Sequence, residues 1–149
     1  YQSGFMGNQT IGVGSTNTKL AYAFKGITSS VDFNGELSSM RWNLGGDYIF
    51  NDGAPNNRNL AKRARFTLGS GDHDFEFSWY EIQSDATIGY YNSALLGHTN
   101  RDGLALEYRY QYSKDIKMGM TIVHAQTLRT TLLQADQDAV SLWWEFTNL

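Results

Sequence analysis

Hydrolytic catalysis needs a nucleophile, a general base and a third group that orients the base. The chain has three dispersed histidines, His73, His98 and His124, and a loop serine such as Ser93 could pair with His98 or His124 as nucleophile. No Gly-x-Ser-x-Gly elbow or comparable motif accompanies them, so a lipase- or protease-like site has little to rest on. Asp72, His73 and Asp74, and separately Asp136 and Asp138, carry metal-ligating atoms. Neighbouring acids in turn-like sequence are commonly just solvated, and no complete calcium-loop spacing is present. Cysteine is absent, which removes disulfides and thiolate metal sites. The expectation is a non-enzymatic chain with no metal and no cofactor.

A different arrangement of charge is more telling. Lys19, Lys25, Arg41, Asp47, Arg63, Arg65, Glu76, Glu107, Arg109, Lys117 and Glu145 fall on one parity of their segments. Leu20, Tyr22, Phe24, Trp42, Phe66, Phe75, Phe77, Trp79, Leu104, Leu106, Tyr108, Met118, Met120, Leu142, Trp144 and Phe146 fall on the other. Alternation with period two is the signature of β-strands. It predicts seven strands, over residues 19–25, 40–50, 63–68, 74–80, 104–112, 116–122 and 140–147. A weaker eighth falls around Thr10 to Gly14, and Val31 to Phe33 reads as a short extra piece. Apolar residues do not recur at three- and four-residue spacing, so a helical reading fails. One Pro, fifteen Gly and 14% aromatic residues suit strands joined by polar turns. The whole chain reads as one domain, 1–149, with 1–17 loop-like and 18–149 made of strands and loops.

The connections alternate in length. Ser113–Lys114–Asp115 is tight and Gly69 to His73 nearly so, whereas Asn51 to Leu60, Ser84 to Asn100 and Thr127 to Asp138 are long. Short turns at one end and long loops at the other are the arrangement of an outer-membrane up-and-down barrel. Alternation alone also allows a soluble barrel with its apolar face inside. Against that, the apolar parity is filled by large side chains almost without interruption, more than a lipocalin-sized interior accepts. The polar parity mixes both charges with small residues (Ala21, Gly45, Ala105, Gly119), as a wet lumen would. Aromatics gather toward strand ends, as at Tyr48 and Phe50, Tyr110 and Tyr112, and Trp144 and Phe146, which suits the interfacial girdles of a bilayer. The fold class expected is all-β, an antiparallel transmembrane barrel with seven to eight strands in this chain. Net charge of −3 gives a nucleic-acid partner little support.

Gly46-Asp47-Tyr48-Ile49-Phe50-Asn51 resembles the Gly-Asp-Tyr-Val-x-Asn strand end of a large family of bacterial outer-membrane porins. Gly71-Asp72-His73-Asp74-Phe75-Glu76-Phe77-Ser78-Trp79-Tyr80-Glu81-Ile82-Gln83-Ser84-Asp85-Ala86 is similar to that family's turn–strand–Asp–Ala block. Gly97-His98-Thr99-Asn100-Arg101-Asp102-Gly103-Leu104 and Tyr112-Ser113-Lys114-Asp115-Ile116-Lys117-Met118-Gly119 stand where the family has a Gly-rich loop and its next tight turn. The resemblance becomes specific from about Arg41 onward, roughly two-thirds of the chain. The resemblance implies an outer-membrane diffusion channel, with this chain as the C-terminal part of a longer barrel. The chain departs from the family in lacking a glycine run between Tyr90 and Gly97 and in ending on Leu149 rather than Phe.

The function expected is passive diffusion of small polar solutes or ions through a charged lumen. The competing expectation is a small filled barrel that anchors or recognises without conducting. Partners would be outer-membrane lipid, the solutes, and further strands from an earlier part of the protein or another chain. Seven bases against four acids among the lumen candidates would favour anions, unless the charges pair across strands.

Overall fold

A strand places successive side chains on opposite faces, so its register decides the composition of two surfaces at once. The computed structural model describes residues 10–13, 17–20, 22–87, 99–130 and 135–147. Among them are nine strands and no helix. β1 (Thr10–Val13) and β2 (Asn17–Leu20) pair in a sheet of their own. β3 (Gly26–Leu37), β4 (Met40–Asn51), β5 (Leu60–Ser70), β6 (His73–Ile82), β7 (Arg101–Ser113), β8 (Ile116–Thr127) and β9 (Gln137–Phe146) form one seven-stranded sheet. Its order is the order of the chain, and every neighbouring pair is antiparallel. The described portions of β3 and β9 pair with no further strand, so the sheet is open.

The turns are tight at one end and long at the other. β3–β4, β5–β6 and β7–β8 turn through Ser38–Ser39, Gly71–Asp72 and Lys114–Asp115. Ser38 has φ 58° and Gly71 φ 56°, the left-handed conformation that short hairpins demand. Glycine takes that conformation freely, whereas a serine pays for it. The other three connections, residues 52–59, 83–100 and 128–136, all leave the opposite end. Length alternation therefore holds along the whole sheet.

The first third of the chain differs from the sequence expectation. No strand runs over 19–25. Lys19 and Leu20 end β2 in the small sheet, and Tyr22, Phe24 and Lys25 lie in the irregular stretch leading to β3. The piece expected at Val31 to Phe33 is the middle of a full twelve-residue strand. β3 does alternate, with Ile27, Val31, Phe33 and Leu37 against Thr28, Ser30, Asp32, Asn34 and Glu36. Ser29 and Gly35 interrupt its apolar parity and dilute the signal. Trp42 makes good the second gap by lying over Gly35, where an added Cβ would come within 2.4 Å of the indole.

Burial is inverted relative to a water-soluble sheet. Apart from Leu128 in a loop and Tyr112 at the β7–β8 bulge, every exposed large apolar side chain from Ile27 to Phe146 lies on the same face of the seven strands. Phe33, Leu44, Phe66, Phe77, Leu106, Ile122 and Val140 form one continuous cross-strand row there. The buried strand residues, such as Ser78, Ala105, Thr121 and Val123, lie on the other face and are small or polar. A contiguous apolar surface of this kind marks a face that another surface covers, whether protein or lipid.

The apolar band also slides across the strands. At the loop end its last large residues are Ile27 on β3 and Phe50 on β4, then Trp79 and Leu104, then Ile122 and Val140 on β8 and β9. In register, that edge moves six residues over the six steps from β3 to β9. The turn-end edge moves the same way by two residues, from Leu37 to Phe146.

The φ of Ser38 yields a direct check. Ser38→Gly should raise stability by about 1 kcal/mol, by relieving a side chain of the left-handed conformation. Ser38→Val should lower it. Chemical-denaturation midpoints of the two variants read the difference, and no gain in the glycine variant would mean that the turn adopts another conformation.

Candidate functional site

The polar face is where charged side chains converge, and its construction begins with missing side chains. Gly45 sits opposite Asp32 and Arg65, and a Cβ there would meet the Arg65 Nε and the Asp32 carboxylate at 2.6 Å. Gly69 likewise clears the space in which Arg41 meets Asp74. Through these gaps the guanidiniums reach carboxylates on neighbouring and more distant strands. Arg65 binds Asp32 at 2.6 Å and Asp47 at 3.0 Å, spanning β3, β4 and β5. Glu76 accepts from Arg63 at 2.5 Å and from Arg109 at 3.5 Å, spanning β5, β6 and β7. Arg41 reaches Asp74 at 3.4 Å and the Gly71 carbonyl at 3.3 Å. The face is thus laced by ion pairs running across the strand direction, each side chain held in one orientation by a partner.

Of the expected lumen residues, Arg41, Asp47, Arg63, Arg65, Glu76, Glu107, Arg109, Lys117 and Glu145 share this face. Lys19 and Lys25 lie outside the sheet. Trp42, Phe66, Phe75, Phe77, Trp79, Leu104, Leu106, Tyr108, Met118, Met120, Leu142, Trp144 and Phe146 share the opposite one, and Leu20, Tyr22 and Phe24 are outside the sheet. The expected excess of bases does not survive the register. Asp32, Glu36 and Asp74 join the polar face, as does Arg101. Its acids are then Asp32, Glu36, Asp47, Asp74, Glu76, Glu107 and Glu145, against Arg41, Arg63, Arg65, Arg101, Arg109 and Lys117. Charge is nearly balanced, and the principal guanidiniums are paired. In sequence, the strand of Asp32 and Glu36 shows only a three-residue piece, and Asp74 opens a segment whose signal is its apolar parity.

The same face changes character toward the loop end. Tyr80, Ala105, Val123 and Ala125 form a buried cluster, with Ile82 and Ala139 packed against it. Tyr80 is 1% exposed and leans over Gly103, where an added Cβ would lie 2.9 Å from its hydroxyl. Beside it, Ile49, Ala61, Ile82 and Tyr80, with Asp47 and Arg63 on the polar side, line a cavity of about 290 Å³. At the turn end, a second cavity of about 520 Å³ is walled by Arg41, Asp72, Asp74, Arg109, Gln111 and Lys117. The polar face is therefore an apolar neck at one end and a charged basin at the other.

Two asparagines tie the long connections together above the neck. Asn51, 2% exposed, accepts from the Lys25 and Gly53 amides and donates to the Asp85 carbonyl at 2.7 Å. Asn100 exchanges hydrogen bonds with the backbone of Arg129, whose guanidinium donates to the Asn57 carbonyl at 2.9 Å. Arg101 donates to Thr127 and to the Ala135 carbonyl. Loops from all three hairpins are thus cross-linked by side chain to backbone bonds. Neither asparagine announces itself in the sequence, since their partners lie 26 or more residues away except for the local Gly53 bond.

The apolar face has its own polar border. Lys62 bridges Glu81 at 2.8 Å and lies over the Trp79 ring at 5.2 Å. Asp102 and Gln126 continue that row, and His124 meets Asp138 at 2.6 Å one row nearer the turns. At the other border His73 stacks on Tyr110 and bonds the Tyr108 hydroxyl at 2.8 Å. Among the described residues no group of three or more His, Asp or Glu is placed to hold a metal ion. No protein-family model, no curated protein and no solved structure matches the chain.

Glu76 is the carboxylate on which two guanidiniums depend, so Glu76→Gln should cost about 1–3 kcal/mol. Adding Arg63→Gln should recover part of that loss, because one unpaired charge is then removed. A double-mutant cycle on denaturation free energies measures the coupling, and strict additivity would dissolve the triad. Asn51→Ala should cost a similar amount, about 1–3 kcal/mol, read the same way.

Proposed function

We propose that the chain forms the wall of an outer-membrane β-barrel whose lumen passes small polar solutes or ions by diffusion. The observation that carries this reading is the sliding apolar band on one face of a sheet whose buried strand residues all lie on the opposite, small and charged face. Strands lie about 4.8 Å apart and rise about 3.4 Å per residue, so a slip of one residue per strand corresponds to a tilt of roughly 35°. That is the inclination at which strands cross an outer membrane, and the smaller slip at the turn end has the same sense. A bilayer explains the rest of the outer surface. Lys62, Glu81, Asp102 and the His124–Asp138 pair fall at the loop-side edge, and His73, Tyr108, Tyr110 and Trp144 fall toward the turn-side edge, where amphipathic rings belong.

In this setting the resemblance to outer-membrane porins gains support from the turn and loop alternation. The tight turns would face the periplasm and the cross-linked loops the outside. The lumen selectivity expected from the register is weak, since nearly balanced and mutually paired charges leave little net field. The apolar neck at Tyr80, Val123 and Ala125 favours one competing reading, a filled barrel that anchors or recognises at the surface without conducting.

Stepwise currents from refolded protein of verified mass in a planar bilayer would support the channel. Heat-modifiable, lipid-inserted protein without current would favour the filled barrel. Given currents, replacing Arg63, Arg65 and Arg109 together by Glu should shift the reversal potential toward cations, and an unmoved potential would place them away from the solute path. Lys at Phe77 or Leu106 should weaken folding into lipid by roughly 2–4 kcal/mol. A harmless Lys at both positions would reverse the assignment of faces.

A further inference from the structure

The charged basin at the turn end is more than a stretch of wetted wall. Its cavity of about 520 Å³ is enclosed by β4, the β5–β6 turn, and β7 with β8. Three of its lining residues are bases, Arg41, Arg109 and Lys117, and two are acids, Asp72 and Asp74. Arg41 neutralises Asp74. Arg109 holds Glu76 only at 3.5 Å through Nη2, while its Nε is shielded from solvent and has no hydrogen-bond partner. Lys117 forms no ion pair among the described residues, although Glu145 stands directly opposite it on β9.

Arg109 and Lys117 are diagonal neighbours on one face of the β7–β8 pair, because Arg109 faces Gly119 and Gln111 faces Lys117. Diagonal positions of this kind bring long side chains within reach of one another. Gly119 offers no side chain between them, and the Trp143 ring lies over it as an apolar wall. Gln111 is occupied, donating to the carbonyls of Ser113 and Ile116 at the β-bulge. What remains in the basin is a guanidinium whose one carboxylate contact is the long 3.5 Å bond to Glu76, and an ammonium without an ion pair among the described residues, both cationic and lining one space.

We infer that this basin is a binding site for a small oxyanion, held between Arg109 and Lys117. A guanidinium edge and an ammonium are the donors that grip phosphate or carboxylate oxygens most strongly. The proposal rests on the channel reading only for its role, which would be a solute station beside the periplasmic mouth. Binding itself needs no conducting pore.

The test is isothermal titration of the refolded, heat-modifiable protein with inorganic phosphate at low ionic strength, repeated with acetate and with chloride. Saturable phosphate binding should weaken at least tenfold in Arg109→Gln and in Lys117→Gln. It should change less than twofold in Lys114→Gln, which removes a base of the β7–β8 turn that does not line the basin. Arg109→Lys keeps the charge and loses the planar guanidinium, and it should lie between the two; it also serves if the glutamine variant fails to fold. Phosphate binding without acetate binding identifies a phosphate-type ligand, and comparable binding of both identifies oxyanions at large; either supports the site. Absence of saturable binding, equal response to chloride, or indifference to both Arg109 and Lys117 overturns it. Conductance of the same sample separates the two readings. Binding without current upholds the basin and removes the channel, whereas current without binding keeps the channel and removes the basin.

Discussion

The backbone ladder is the constraint from which everything else in this protein follows. Each antiparallel step in the seven-stranded sheet fixes which residue faces which, and period two then assigns every side chain to one surface or the other. A slip of one residue in any strand would drive Phe, Trp and Leu among the arginines. With apolar rows on one side and ion pairs on the other, no alternative register satisfies both surfaces. Specificity therefore comes from the two faces acting together, not from either alone.

The ion pairs add a constraint across the strands. Arg65 ties β3, β4 and β5 through Asp32 and Asp47, and Glu76 ties β5, β6 and β7 through Arg63 and Arg109. Partly exposed bridges of this kind contribute modestly to stability one by one. Their larger consequence is positional, because a guanidinium held by two carboxylates cannot swing freely over the polar face. Glycines at 45 and 69 make the arrangement possible, since any side chain there would occupy the bridge. Charge, small residues and register are thus one design feature seen from three sides.

Much of the sheet was legible in the sequence because large apolar residues occupy one parity with few breaks. β4 to β9 were readable for that reason, and so was the contrast between tight turns and long loops. β3 was not, since Ser29 and Gly35 remove two of its six outward apolar positions, and Tyr22 with Phe24 supplied a stronger but misleading alternation just upstream. The sides of the polar face were legible residue by residue. Their balance was not, because it depends on Asp32 and Glu36, whose strand reads as a three-residue piece, and on Asp74, which opens a segment legible only by its apolar parity. The neck and the asparagine ties were illegible in principle. Tyr80, Val123, Asn51 and Asn100 acquire their roles only through partners brought close by the fold.

The parity of the sheet limits how a barrel could be completed. β3 and β9 are the first and last of seven alternating strands, so they run in the same direction. Joining them to each other would require a parallel seam. Two copies related by an axis along the membrane normal would meet β9 against β3 in the same parallel sense. The β1–β2 pair, inserted as two further strands, leaves the count odd and the problem unchanged. An all-antiparallel closure, which is the bacterial norm, therefore needs an odd number of additional strands between the two edges. Their outward residues would have to continue the band from Val140 and Phe146 on β9 round to Ile27 and Leu37 on β3, and unpaired backbone in lipid would penalise any arrangement that left a gap.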